Sequence, residues 1–170
     1  NMILCIDELT NLPSEDISNL AFGATNGRGK NRMSASSNSE RINNTTWALP
    51  CITSGNNSLH EVLQALKADP EGEILRVLEL EVVRSDSLTK QQSDQIFSRD
   101  MVENYGHAGE VMMQFVLDNY DDCIKDLYDI QLEFDKAANL QQRDRYYSAL
   151  CATALWGGKL ANKLGLVDIP

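Results

Sequence analysis

The chain has 170 residues, 42 % of them apolar, which is enough for one core or for a small core with a helical appendage. A formal net charge of −10 excludes a surface coated in basic charge for nucleic acid, though not a local basic patch. No apolar run is long enough to span a bilayer, and the N-terminus lacks the charged-then-apolar layout of a signal peptide.

The first element is expected at residues 2–6, a short, continuously apolar strand of the kind buried in a sheet. It runs directly into Asp7 and Glu8. Because the sequence opens at Asn1 and is inside this strand by Met2 or Ile3, a fragment of a longer protein is expected. Pro13 and Ser14, with Glu15 and Asp16 after them, start a helix predicted over 14–22. Residues 23–46 are rich in Gly, Ser, Asn and Thr and carry Arg28, Lys30, Arg32 and Arg41, so they predict a long loop or a mobile hairpin. "WALPCITS" at 47–54 predicts a second strand, its regularity limited by Pro50. Ser58, with Glu61 three residues on, opens a helix through about Leu66 with a capping box. The alternation of "EILRVLELEVV" at 73–83 predicts a third strand.

At about Ser85 the character changes. "RSDSLTKQQSDQ" is polar and predicts a linker. Helix-period apolar positions then recur over 106–136 and 141–164, with Gly165 as the last C-cap. Two regions are therefore expected: an α/β part over 1–84 and a helical domain over 85–170. The aromatics Tyr105, Tyr120, Tyr128, Tyr146, Tyr147 and Trp156 fall on the helical stretches and read as packing residues. That half serves as a lid or an oligomerisation surface, and the sequence does not choose between them. Cys5, Cys51, Cys123 and Cys151 show no ligand spacing and read as buried free thiols of a cytoplasmic protein. His60 and His107 lie far apart, which argues against histidine-based catalysis.

An apolar strand that ends in Asp–Glu has the layout of a Walker B motif. A buried parallel strand carries its last side chains to the sheet edge where α/β proteins bind ligands. There an aspartate holds Mg²⁺ through water beside the phosphates, and a glutamate polarises the attacking water. The same pattern also arises from acids in the first turn of a helix. After the second strand come Ser54, Asn56 and Asn57, where a sensor residue of such an ATPase belongs; a plain turn before the Ser58 cap gives the same residues. Arg76, inside the expected third strand, reads either as a charge for a phosphate at a subunit interface or as an edge arginine facing solvent. "NGRGKNR" offers backbone access and the charges of Arg28, Lys30 and Arg32 to phosphates, or is simply a solvated loop. It holds no Tyr or Trp on which bases would stack.

Taken in order, "CIDEL", "GATNGRGKNRM", "TTWALPCITSGNNSL", "LRVLELEV", "NYGHAGEVMMQFV" and "RDRYYSALCATALWGGKLANKLGL" resemble a family of phage and plasmid helicase-like P-loop ATPases. The resemblance covers nearly the whole chain and rests on the order of short motifs. It implies a partial P-loop core of the RecA or AAA+ kind followed by an α-helical domain. It implies ATP and Mg²⁺ as cofactors, Asp7 as the Mg²⁺ residue, Glu8 as the base and Asn56 or Asn57 as the sensor. It further implies single-stranded DNA as partner and a homo-oligomeric ring. One departure matters: no GxxxxGK[ST] loop occurs, and "GRGKNRM" lacks both its length and its Ser/Thr. The 170 residues are therefore expected not to hydrolyse ATP by themselves. The rival expectation is a non-enzymatic interaction or assembly module that binds a protein through its helical half.

Overall fold

Two units make up the chain in the computed structural model, Asn1–Glu79 and Leu80–Pro170. The structure describes residues 3–29, 32–33, 40–41, 44–83 and 87–169.

The first unit opens with strand β1, Leu4–Ile6, and a 3-10 turn at Leu9–Asn11. Helix α1 follows at Ser14–Asn26. It runs past the expected end because nothing in "LAFGATN" breaks it before Gly27, which closes it at φ 67. A hairpin stem comes next, with β2 at Arg32–Met33 antiparallel to β3 at Glu40–Arg41. Its base is tied by the Arg28–Thr46 bridge, and Trp47 Nε1 donates to the Ala24 carbonyl at 3.0 Å. β4, Cys51–Thr53, lies parallel to β1 with Cys5 opposite Ile52, so the intervening chain is a crossover. α2, Leu59–Leu66, starts at Ser58, whose Oγ accepts from the Glu61 N–H at 3.2 Å. The His60 N–H donates to Glu79 Oε2 at 3.0 Å, which anchors a carboxylate at the positive end of α2.

The expected third strand over 73–83 does not form. α3 occupies Glu71–Ile74, and 77–83 has no regular structure. Tertiary bonds override the alternation. Glu73 is drawn inside to Ser18 and Lys67, the Val77 carbonyl meets His60 Nε2 at 3.1 Å, and Glu79 holds the start of α2. Backbone and side chains so engaged are not presented as a strand ladder.

Leu9, Ile17, Leu59 and Leu63 form the core of this unit, with Ile6, Leu20, Val62 and Val77 against it. β1 and β4 are not the buried strands expected: Leu4 is 42 % and Ile52 57 % exposed. The thiols follow suit, with Cys5 exposed, Cys51 and Cys151 half-buried and Cys123 buried.

Glu73 is buried, accepting from Ser18 Oγ at 2.7 Å and from Lys67 Nζ. Burial pushes its carboxyl up, but the hydrogen bonds from Lys67 and Ser18 outweigh that and hold it below the usual carboxylate range. A folded-state value below the unfolded one, about 4.3, stabilises above that pH and is lost as the pH falls through the folded value. Urea unfolding between about pH 3 and 6 is therefore expected to show acid-dependent loss that is shallower in Glu73→Gln. At neutral pH that variant loses about 1–2 kcal/mol, less than a fully buried pair would, because the Lys67 side chain is 45 % exposed and rehydrates.

The second unit is helical. The segment read as a linker contains α4, Lys90–Gln95, started by a Thr89–Gln92 capping box. A π turn at Ile96–Asp100 and α5, Met101–Glu103, continue it. The span 106–136 is two helices, α6 at His107–Asp118 and α7 at Tyr120–Ala137, broken at Asn119, whose Nδ2 bonds the Phe115 carbonyl at 2.9 Å. α7 ends in a Schellman turn with Asn139 at φ 51. α8, Arg145–Lys163, packs back on α7 and ends in another, with Gly165 at φ 69. None of the described helices is long and apolar enough to cross a membrane.

Candidate functional site

Asp7 and Ser54 each follow the last residue of a strand, and the β1–β4 register brings them together. Ser54 N–H donates to the Ile6 carbonyl at 3.1 Å, and Leu9 N–H to the Ser54 carbonyl at 2.9 Å, so the ladder continues past both strand ends. Ser54 Oγ donates to Asp7 Oδ1. The Glu8 N–H lies 3.1 Å from the same oxygen and 3.3 Å from Ser54 Oγ. Donors thus converge on Oδ1, and Asp7 is exposed.

Glu8 has left-handed backbone, φ 53 and ψ 43. That conformation crowds Cβ against the backbone and turns the chain from β1 into the 3-10 turn. Its Oε2 accepts from Asn11 Nδ2 at 2.6 Å. Asn11 escaped the sequence reading because no motif spacing marks it; only the turn brings it back onto Glu8. Glycine carries no Cβ penalty here, so Glu8→Gly is expected to raise the stability of the first unit by about 0.5–1 kcal/mol, while Glu8→Ala gains nothing. Urea midpoints of the two variants check this.

The bend after β4 packs on the same turn. A Cβ on Gly55 would stand 2.8 Å from Thr10 Cγ2, so glycine permits this approach. Asn56 and Asn57 follow on that bend, exposed. Asp7, Glu8 and Ser54 are joined by direct bonds, and Asn56 and Asn57 come two and three residues later.

Arg76 has a different setting. It lies in the turn after α3, its guanidinium 4.6 Å from the centre of the Phe22 ring. Nε donates to Thr25 Oγ1 at 3.1 Å and Nη1 to the Gly72 carbonyl. These contacts pin α3 to α1 through a cation–π stack. Of the basic loop, Arg28 is exposed beside the Thr46 bridge, and Arg32 lies in β2; Lys30 lies outside the described residues.

Among the described residues no three His, Cys, Asp or Glu side chains group as a metal cage. Mg²⁺ does not require one, since it keeps several waters and takes one or two carboxylates plus phosphate oxygens. An exposed aspartate at a strand end fits that donor set. No family model, curated protein or solved structure matches the chain.

Proposed function

We propose that residues 1–79 are the Walker B and sensor half of a P-loop ATPase of the DNA-helicase kind. The observation that carries the reading is the Asp7–Ser54 contact at the C-terminal edge of two parallel strands, with Glu8 next in the chain. That edge is where α/β sheets bind ligands. In this reading Asp7 holds Mg²⁺ through water, and Ser54 fixes the Asp7 carboxylate. Glu8 takes the proton of the attacking water from the position in which Asn11 holds it. Asn56 or Asn57 senses the terminal phosphate. Bound ATP with Mg²⁺ supplies the activated phosphoryl group and the charge that neutralises it. Arg76, committed to Phe22 and Thr25, is assigned no part.

The bare faces of the β1–β4 pair support the same reading. Parallel sheets are normally covered on both faces, and a pair of strands this short is marginal alone. The phosphate loop is not among these 170 residues, and the reading takes it from outside them. Arg28, Lys30 and Arg32 then contact the backbone of single-stranded DNA, in a homo-oligomeric ring with one loop per subunit.

The test is ATP turnover by the full product of the gene, with and without single-stranded DNA. DNA-stimulated hydrolysis is expected; absence of nucleotide binding overturns the reading. A second reading, an interaction module, is favoured by the exposed apolar row Tyr120, Ile124, Tyr128 and Leu132 along α7. It has no need of nucleotide and leaves DNA binding unchanged when Arg28, Lys30 and Arg32 are neutralised.

A further inference from the structure

The second unit holds a feature that the ATPase reading does not use. Near Ser148, α7 and α8 are closely joined, with Gln131 Nε2 donating to its Oγ at 2.7 Å. Further along, the two helices leave a half-open cavity of about 280 Å³. Asp126, Asp129 and Glu133 line it from α7, and Lys159 and Lys163 from α8. Phe115 of α6 and Trp156 line it too, both half-buried.

Both sets of charges recur at helix-turn spacing, so each forms one side of the cavity. Among the described residues none of these carboxylates forms an ion pair with either lysine within the cavity. Lys163 instead holds its ammonium 4.9 Å from the centre of the Phe115 ring. A cavity with opposite charges on facing walls and aromatic rings between them complements a molecule that carries both charges and a ring of its own. Its volume lies just under the range of drug-sized ligand sites, which sets the scale at a single amino acid.

We propose that this cavity binds a free aromatic amino acid. The ligand's carboxylate meets Lys159 and Lys163, its ammonium meets the α7 carboxylates, and its ring stacks offset on Trp156 and Phe115. The site is independent of the proposed nucleotide chemistry, so failure of either leaves the other standing.

The test uses the 170-residue chain with Trp47→Phe, so that Trp156 is the remaining indole. The probes are L-phenylalanine, L-phenylalaninamide, which lacks the carboxylate, and 3-phenylpropionate, which lacks the ammonium. Phenylalanine is expected to change Trp156 fluorescence saturably with Kd of about 1 mM or below. Each analogue is expected to bind at least about tenfold more weakly, having lost one charged contact. Lys159→Met with Lys163→Met, which preserves helix propensity, abolishes the phenylalanine response without changing helical circular dichroism. Should Trp47→Phe not fold, the Trp156 indole N–H resonance of the unaltered chain reports the same titration. No saturable change up to about 10 mM, or equal responses to all three probes, overturns the proposal.

Discussion

Glu8→Gln in the full gene product is expected to bind ATP as before and to lose DNA-stimulated turnover by about 10²- to 10⁴-fold, the usual contribution of a positioned general base. The substitution is nearly isosteric, and the amide oxygen still accepts from Asn11 Nδ2, which reaches Glu8 Oε2 at 2.6 Å in the parent. The turn is therefore preserved, and only the capacity to take a proton goes. Equal loss in kcat and kcat/KM marks an interaction made in the transition state, whereas a rise in KM alone marks ground-state binding. Asp7→Asn acts differently. It weakens the hold on the cation and is expected to raise the Mg²⁺ concentration needed for half-maximal turnover. Unchanged turnover in Glu8→Gln removes Glu8 from the chemistry. Joint loss of binding and turnover makes it a residue of the fold.

The parts of this architecture that local chemistry determines were legible in the residues. β1 and β4 were readable from short apolar runs, α2 from Ser58, and the last helix end from Gly165. The neighbouring positions of Asp7 and Ser54 followed from two strand ends, provided the strands pair in parallel. What escaped depends on contacts distant in sequence. Residues 73–83 alternate like a strand, yet Glu73 answers to Ser18 and Lys67, and Glu79 to α2. Arg76 was read for its charge and turned out to be held by a ring, Phe22, that no spacing rule connects to it. Asn119 divides a continuous helical period because its side chain competes for the Phe115 carbonyl. The segment before the helical half looked like a linker because it is polar, although Thr89 and Gln92 already spelled a capping box.

Leu63→Ala is expected to destabilise the first unit by about 2–5 kcal/mol, the range for truncating a buried leucine. Leu63 is 0 % exposed at the centre of a core with Leu9, Ile17 and Leu59. Few buried apolar side chains share the work, so a cavity there removes a large part of a stability that is only about 5–15 kcal/mol in ordinary domains. Helix α2 spans Leu59–Leu66, too short to persist without tertiary packing. Leu66 on the same helix is 45 % exposed, and Leu66→Ala is expected to cost under about 1 kcal/mol. With Trp156→Phe in the background, urea unfolding followed by Trp47 fluorescence reports this unit alone. Equal costs for the two leucines refute the placement of the core. The consequence reaches the candidate site, because the Ser58 cap of α2 follows directly on the bend that carries Ser54, Asn56 and Asn57. Loosening α2 releases that bend, and with it the hydroxyl that fixes Asp7. Leu63→Ala is thus expected to lower turnover in the full gene product in proportion to the unfolded fraction, and added Mg²⁺ is not expected to restore it.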